Sequence, residues 1–459
     1  MERPNAWKKY DKNELNALEK LNTGYIDFLT KGKTERECVK EIVKLIADYG
    51  YKDIAEVIKS GKKVKAGDKL YAVCMGKAVA LFNIGSENIE KGMNILGAHI
   101  DSPRMDIKQN PLYEKEDMAY LDTHYYGGIK KYQWVAIPLA LHGVVAKKDG
   151  TVVDIAIGED KNDPVFCVSD LLIHLAGEQM EKKANKVIEG ENLDVLIGSK
   201  PLKGEEKDAV KANILKLLKK KYDIEEEDFL SAEIEVVPAG AAREAGIDKS
   251  MIMSYGQDDR VCAYTSLIAM LETEKVKKTT CCLLTDKEEI GSVGATGMQS
   301  RFFENTVAEL LNLMGVYSDL TLRRTLAASS MLSSDVNAAY DPMFDSAFDK
   351  KNASFFGRGV VFCKFTGARG KSGSNDANAE YIARIRSMMD DGGVSFQTAE
   401  LGKVDVGGGG TIAYILSLYG MEVIDCGVAV LNMHAPWEIT SKADIYEAYK
   451  CYKVFLKKA

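Results

Sequence analysis

Apolar residues recur at helical spacing near the start of the chain, as Leu15, Leu18 and Leu21 after Asn13 and as Val39, Ile42, Val43 and Ile46 after Glu35. This predicts two amphipathic helices. The pattern then shortens. The runs LYAVCM, ALFNIG and MNILGAHID are compact, apolar and punctuated by glycine, as strands are. Three further runs of strand length, TTCCLLTDKEEIG, SMLSSDV and GVAVLNMH, each end in residues of metal-ligating type. Helical spacing returns over Cys262 to Glu272 and Lys442 to Leu456. Strands alternating with helices predict an α/β sheet, in which ligands gather beyond the strand ends.

Between Met105 and Ala242 the texture changes. The strand-like pieces VAIPLALHGVVA, TVVDIAIG and SAEIEVVP surround a stretch rich in lysine and glutamate that contains the helix candidate KANILKLLKKKY. The chain therefore reads as a mixed-sheet α/β/α domain in two parts, residues 1–104 and 243–459, interrupted by an inserted, mainly β domain, residues 105–242. A length of 459 residues, 46% of them hydrophobic, is enough for two cores.

Composition narrows the partners. The net charge of −7 is spread over mixed-sign surface with no long basic block, which argues against nucleic acid. The opening MERPNAWKKYDKNELNALEK lacks a signal peptide's apolar core, and no apolar run approaches the roughly 20 residues that span a bilayer. Nine cysteines form no CxxC pair and lie in apolar segments, the pattern of reduced, buried thiols. A cytoplasmic protein without membrane partners is expected. The run DVGGGGTIA lacks both the Lys-Ser/Thr of a P-loop and the spacing of a dinucleotide fingerprint, so it reads as a substrate-lining loop that allows close backbone approach.

Five segments carry candidate chemistry. GAHIDSPRMD places His99 at a strand end with Asp101 two residues on, a carboxylate able to hold the second ring nitrogen of a ligating imidazole. Read alone, the pair also fits a surface His-Asp contact. In GQDDRVCAYTSL, Asp258 and Asp259 precede a helix. Each could be an N-cap, or one could bridge two cations while the other caps. In LLTDKEEIGSVGATGM, Glu288 and Glu289 stand together at a strand end, where adjacent like charges cost energy unless cations or protons offset them. One could bind metal and the other act as general base; a solvated acidic turn is the alternative. Asp335 in MLSSDVNAAYDP and His434 in VLNMHAPWE also follow apolar runs, and His434 is one of five histidines with His99, His124, His142 and His174.

Taken in order, HxD, DDR, EEIGSxGATG, SSDVNAAYDP and MHAPWE resemble the aspartyl aminopeptidase family, dinuclear zinc aminopeptidases that form tetrahedral dodecamers. The resemblance spans nearly the whole chain and implies an α/β catalytic domain interrupted by a dimerisation domain. It implies two divalent ions, Zn²⁺ with Mn²⁺ or Co²⁺ also suited, bridged by Asp258. His99 and Asp335 would complete one ion's shell, and Glu289 and His434 the other's. Glu288 becomes the general base and Asp101 the orienter of His99, in peptide hydrolysis by metal-activated water.

Two positions bear on specificity. Where eukaryotic members have two histidines in the dimerisation domain this chain reads CVSDLLIHL, so Asp170 takes the first position and only His174 remains as a substrate-binding candidate. Lys364, in VVFCKFTG, falls where the family places a lysine facing an acidic substrate side chain, which implies removal of N-terminal Asp or Glu. Two other readings stay open: a related dinuclear amidohydrolase (deacylase or carboxypeptidase), and a non-catalytic shell-forming particle.

Overall fold

The computed structural model describes residues 4–459. The chain divides into two compact units. The first comprises the described residues up to Asp101 with Ala242–Met433 and Glu438–Ala459, and the second comprises Ser102–Ala241 with His434–Trp437.

In the first unit nine strands form a mixed sheet in the order Lys52–Asp53, Lys69–Cys74, Ala78–Asn83, Thr280–Thr285, Asn94–His99, Ser330–Ser333, Glu422–Gly427, Val360–Cys363 and Phe396–Thr398. The central four, Thr280–Thr285 through Glu422–Gly427, are mutually parallel, so their C-terminal ends share one edge. Three of these four are buried at every position and the fourth at all but its first, because helices cover both faces. One face carries Lys12–Lys31, Glu35–Ala47, Gln257–Leu271, Ala379–Asp391 and Lys442–Lys458; the other carries Phe302–Met314, Asp319–Ala327 and Ala413–Ser417. This is the three-layer α/β/α arrangement expected from the alternating pattern.

The helix starts follow local chemistry. Asp11 accepts from the Asn13 and Glu14 amides while Glu14 reaches back to the Asp11 amide, and Thr34 and Glu37 form the same reciprocal box. The run GVAVLNMH behaves differently from the other apolar runs. Its strand, Ala429–Leu431, belongs to a separate five-stranded sheet ordered Arg243–Ala245, Met251–Ser254, Glu438–Ser441, Ala429–Leu431, Asn337–Ala338.

The second unit is built on six strands ordered Val152–Ile157, Leu139–Ala146, Ala232–Pro238, Arg104–Lys115, Met118–Tyr126 and Val195–Gly198, all antiparallel. Arg104 and Met118 lie on two strands joined at Glu116 and Asp117, both with positive φ, the geometry that matches strand twist in a two-residue hairpin turn. The lysine-rich helix Ala209–Tyr222 lies within this unit. Among the described residues no helix is long and apolar enough to cross a membrane.

Candidate metal centre

The site of the first unit lies at the shared edge of the parallel strands. The strand Asn94–His99 delivers His99, and the chain turns at Asp101, both buried. His99 Nδ1 is 3.2 Å from Asp101 Oδ1 and 3.1 Å from the Asp101 carbonyl. Both partners accept, so the ring proton resides on Nδ1 and the lone pair on Nε2. Nε2 in turn faces Asp258 Oδ1 at 3.2 Å. Two acceptors at that distance repel unless a cation or a proton joins them.

Asp258 reaches this position because the backbone has not yet become helical. Asp258 (φ −76°, ψ 111°) and Asp259 (φ −111°, ψ 26°) lie outside helical geometry, and Glu438 Oε2 accepts the Asp258 amide at 3.0 Å. The peptide bond between the two aspartates is cis. The sequence expectation that one of this pair caps the helix is corrected here. Asp259 directly precedes the regular helix, but among the described residues neither of its carboxylate oxygens has a hydrogen-bond partner, and the residue is wholly buried. Burial pushes the Asp259 carboxyl well above the usual range, with the His99 charge opposing and Asp258 adding to the rise.

After the strand Thr280–Thr285, Lys287 adopts positive φ and a short 3-10 turn, Glu288–Ile290, follows. The Glu288 and Glu289 amides donate to Asp101 Oδ1 and Oδ2 at 3.1 and 3.2 Å. Asp101 therefore fixes the His99 ring and the backbone of the Glu-Glu turn together, a wider role than the orienter the sequence suggested. Asp286 steadies the same loop by accepting from Thr296 Oγ1 at 2.6 Å. Asp335 follows the strand Ser330–Ser333, and Gly427 lies so close that a Cβ there would stand 1.8 Å from the Asp335 carbonyl oxygen.

Within the first unit two overlapping groups result, His99 with Asp258 and Asp335, and His99 with Glu288 and Glu289, each with potential ligand atoms within 4.8 Å of one another. The charges of this cluster are costly as they stand. Loss of solvent pushes the Asp335 carboxyl well above its ordinary range, and Glu288, Asp258 and Asp259 add to the push against the opposing His99. Burial lowers the proton affinity of His99, but Asp101 and Asp258, bonded to its ring, outweigh that and hold it well above the usual histidine value. A divalent cation relieves both effects. Donors roughly 2.0–2.1 Å from a tetrahedral zinc stand about 3.3 Å apart, close to the observed His99–Asp258 spacing, and imidazole with carboxylate oxygen suits zinc. The donor set fits the metal.

The remaining sequence candidates are His434, His174 and Lys364. His434 belongs to the four-residue stretch His434–Trp437 of the second unit, at φ +65°, and its Nδ1 is 2.8 Å from the Gly128 carbonyl, which leaves the lone pair on Nε2. His174 is exposed in the turn Ile173–Leu175 of the second unit, and Asp170 accepts from the Leu171 amide and from Gln179. Lys364 is half exposed, with Nζ 2.5 Å from Asp376 Oδ1 and Lys371 on the other carboxylate oxygen at 3.5 Å. Glu438 was not singled out from sequence. Its signal was its place in MHAPWE, four residues after a candidate ligand.

An imidazole and several carboxylates converging at the C-terminal edge of a three-layer α/β sheet define a metal-dependent hydrolase. The chain belongs to the aminopeptidase I zinc metalloprotease family, M18, whose sequence model matches residues 28–456. It is similar to a probable M18 family aminopeptidase 1 of Clostridium acetobutylicum, 61% identical over 453 residues and covering 98% of this chain and 97% of the relative. Among solved structures, the M18 aminopeptidase from Thermotoga maritima superposes with a TM-score of 0.95 at 46% identity, covering all of both chains. Aminopeptidase I from Clostridium acetobutylicum superposes with a TM-score of 0.93 at 59% identity, again covering all of both chains. The protein is a zinc metallo-aminopeptidase, and the deacylase, carboxypeptidase and non-catalytic readings are set aside.

Proposed function

We propose that the enzyme releases N-terminal residues from peptides with two divalent cations per chain, His99 and Asp335 holding one, Glu289 and His434 the other, and Asp258 shared between them. The observation that carries this reading is the approach of His99 Nε2 to Asp258 Oδ1 at 3.2 Å, a spacing that a bound cation satisfies in place of a proton. Zinc in such a shell supplies Lewis-acid polarisation of the scissile carbonyl and lowers the pKa of water, and Mn²⁺ or Co²⁺ can serve in an oxygen-rich set. Glu288, its amide pinned by Asp101, takes the proton of the attacking water and delivers it to the leaving amine. Asp101 keeps the proton of His99 on Nδ1 and so directs Nε2 to the ligand position.

The second unit serves as the dimerisation domain of a large homo-oligomer, a tetrahedral dodecamer by resemblance. Support comes from Leu171, Leu172, Ile173, Leu175 and Met180, all exposed around His174, since apolar groups massed on one surface mark an interaction site. Nine free thiols, seven of them buried, suit the cytoplasm. One experiment tests assembly and metal content together. The active peak on a sizing column is expected at several hundred kilodaltons with two ions per chain. A fully active monomer overturns the first claim, and active protein that never exceeds one ion per chain overturns the second.

Substrate choice turns on Lys364. Because Asp376 already pairs with its ammonium, an acidic first residue gains less there than at an unpaired lysine, and neutral residues are the preferred class. Leu- and Ala-initiated peptides should be cleaved at least as fast as Asp- and Glu-initiated ones, and Asp376→Asn should raise the Asp/Leu ratio of kcat/KM by about tenfold by unmasking the cation. Cleavage of Asp well ahead of Leu by the parent enzyme would end this reading while leaving aminopeptidase activity standing.

A further inference from the structure

The glycine run Gly407–Gly410 divides into two halves with different reasons for lacking side chains. A Cβ on Gly407 would lie 1.8 Å from the Leu401 carbonyl oxygen, and one on Gly408, at φ +127°, would lie 2.5 Å from the Gly367 carbonyl oxygen. Those two glycines are required by the packing of the loop. Gly409 and Gly410 are not: a Cβ on either meets nothing within 4 Å, and neither has φ in the left-handed region. Glycine where the fold accepts alanine costs stability through the freedom it gives the unfolded chain, so the vacant space has another use. Both residues are exposed, and among the described residues neither amide N–H donates to any group of the protein. The Gly409 carbonyl is occupied by the Gly367 amide at 2.7 Å, which fixes the peptide plane.

The run is anchored beside the metal centre. Thr411 Oγ1 donates to Asp425 Oδ1 at 2.5 Å. Asp425 is buried on the strand Glu422–Gly427, in register with Ser333 and two residues before the Gly427 that abuts Asp335. The Glu288 charge reaches Asp425, another mark of their proximity. Among the described residues its second oxygen, also buried, has no hydrogen-bond partner, while the first clamps Thr411.

We propose that Gly409 and Gly410 form the wall along which the main chain of the bound peptide lies, their amides donating to a peptide carbonyl, and that Asp425 is the positioning residue that holds this wall through Thr411. The proposal rests on the aminopeptidase reading above. It accounts for recognition of a peptide through its backbone, which every sequence shares, and it explains two glycines that neither conformation nor packing requires.

The test is the double variant Gly409→Ala/Gly410→Ala, whose methyl groups enter space empty of protein. Its thermal midpoint and metal content should match the parent's, while KM for the tetrapeptide Leu-Ala-Ala-Ala rises about tenfold or more and kcat stays within about threefold, the signature of lost uniform binding. In a Glu288→Gln background, where turnover is suppressed, calorimetric Kd for the same tetrapeptide should weaken by the same factor. Thr411→Val should move KM in the same direction and Thr411→Ser should restore it. KM and Kd within twofold of the parent in the double variant, or a rise in KM accompanied by loss of metal, overturns the proposal. Failure of the aminopeptidase reading would appear separately, as no leucine release by the parent, with the calorimetric arm still deciding whether the glycine wall binds peptide.

Discussion

Glu288→Gln is expected to lower kcat by about two to four orders of magnitude while leaving metal content unchanged, the usual scale for a lost general base. Glutamine keeps the volume of the side chain and its backbone amide still donates to Asp101, so the turn persists; only the capacity to carry a proton is removed. The neighbouring Glu289→Gln should behave oppositely and lose metal, because a neutral amide is a poor substitute for a carboxylate ligand. Kinetics paired with elemental analysis distinguishes them. If Glu288→Gln loses metal and Glu289→Gln retains it with a collapsed kcat, the two roles are exchanged.

Asp101→Ala is expected to damage the site on two counts. The substitution leaves the Glu288 and Glu289 amides without their acceptor and the His99 Nδ1 proton with the backbone carbonyl of residue 101 alone. Each amide left unsatisfied costs about 1–3 kcal/mol, and loss of a carboxylate orienting a ligating histidine typically weakens metal affinity about 10- to 100-fold. Excess zinc should refill the site yet leave kcat depressed, since Glu288 is no longer held. Metal affinity within twofold of the parent would show that Asp101 does not organise the centre.

The sequence disclosed the elements whose signal is periodic and local. The helices from Lys12 and Glu35 announce themselves by apolar spacing and by capping boxes a few residues long, and the strands that lead to the candidate site by short apolar runs that end in histidine or acids. His99, Glu288, Glu289 and Asp335 were legible as candidates because each is a polar residue where an apolar run stops, and Asp258 because it is one of two adjacent acids where a helix begins. What escaped is set by pairing across long stretches of chain. Asp101 receives amides 187 and 188 residues away, Glu438 receives the Asp258 amide from 180 residues away, and Asp425 binds a hydroxyl in a loop that periodicity cannot locate. Asp259 looked like a cap because acids before helices usually are; its non-helical backbone carries it into the interior instead. Lys364 shows a related limit. A lysine after a strand tells nothing of its counter-ion, and Asp376 pairs with it from twelve residues downstream.

The order of strands in the nine-stranded sheet also dictates events on the ribosome. Thr280–Thr285 lies between Ala78–Asn83 and Asn94–His99, so two strands made early have no common partner until one made much later emerges. At translation rates of about 5–20 residues per second that wait lasts roughly 10 to 40 s, during which the facing edges of these largely apolar strands lack the strand that joins them and invite aggregation. The run Ser102–Ala241 is nearly self-contained and can collapse in the interval. The hydrolase core closes only near the end of synthesis, so an unfinished chain has no working site with which to trim the peptides being made around it.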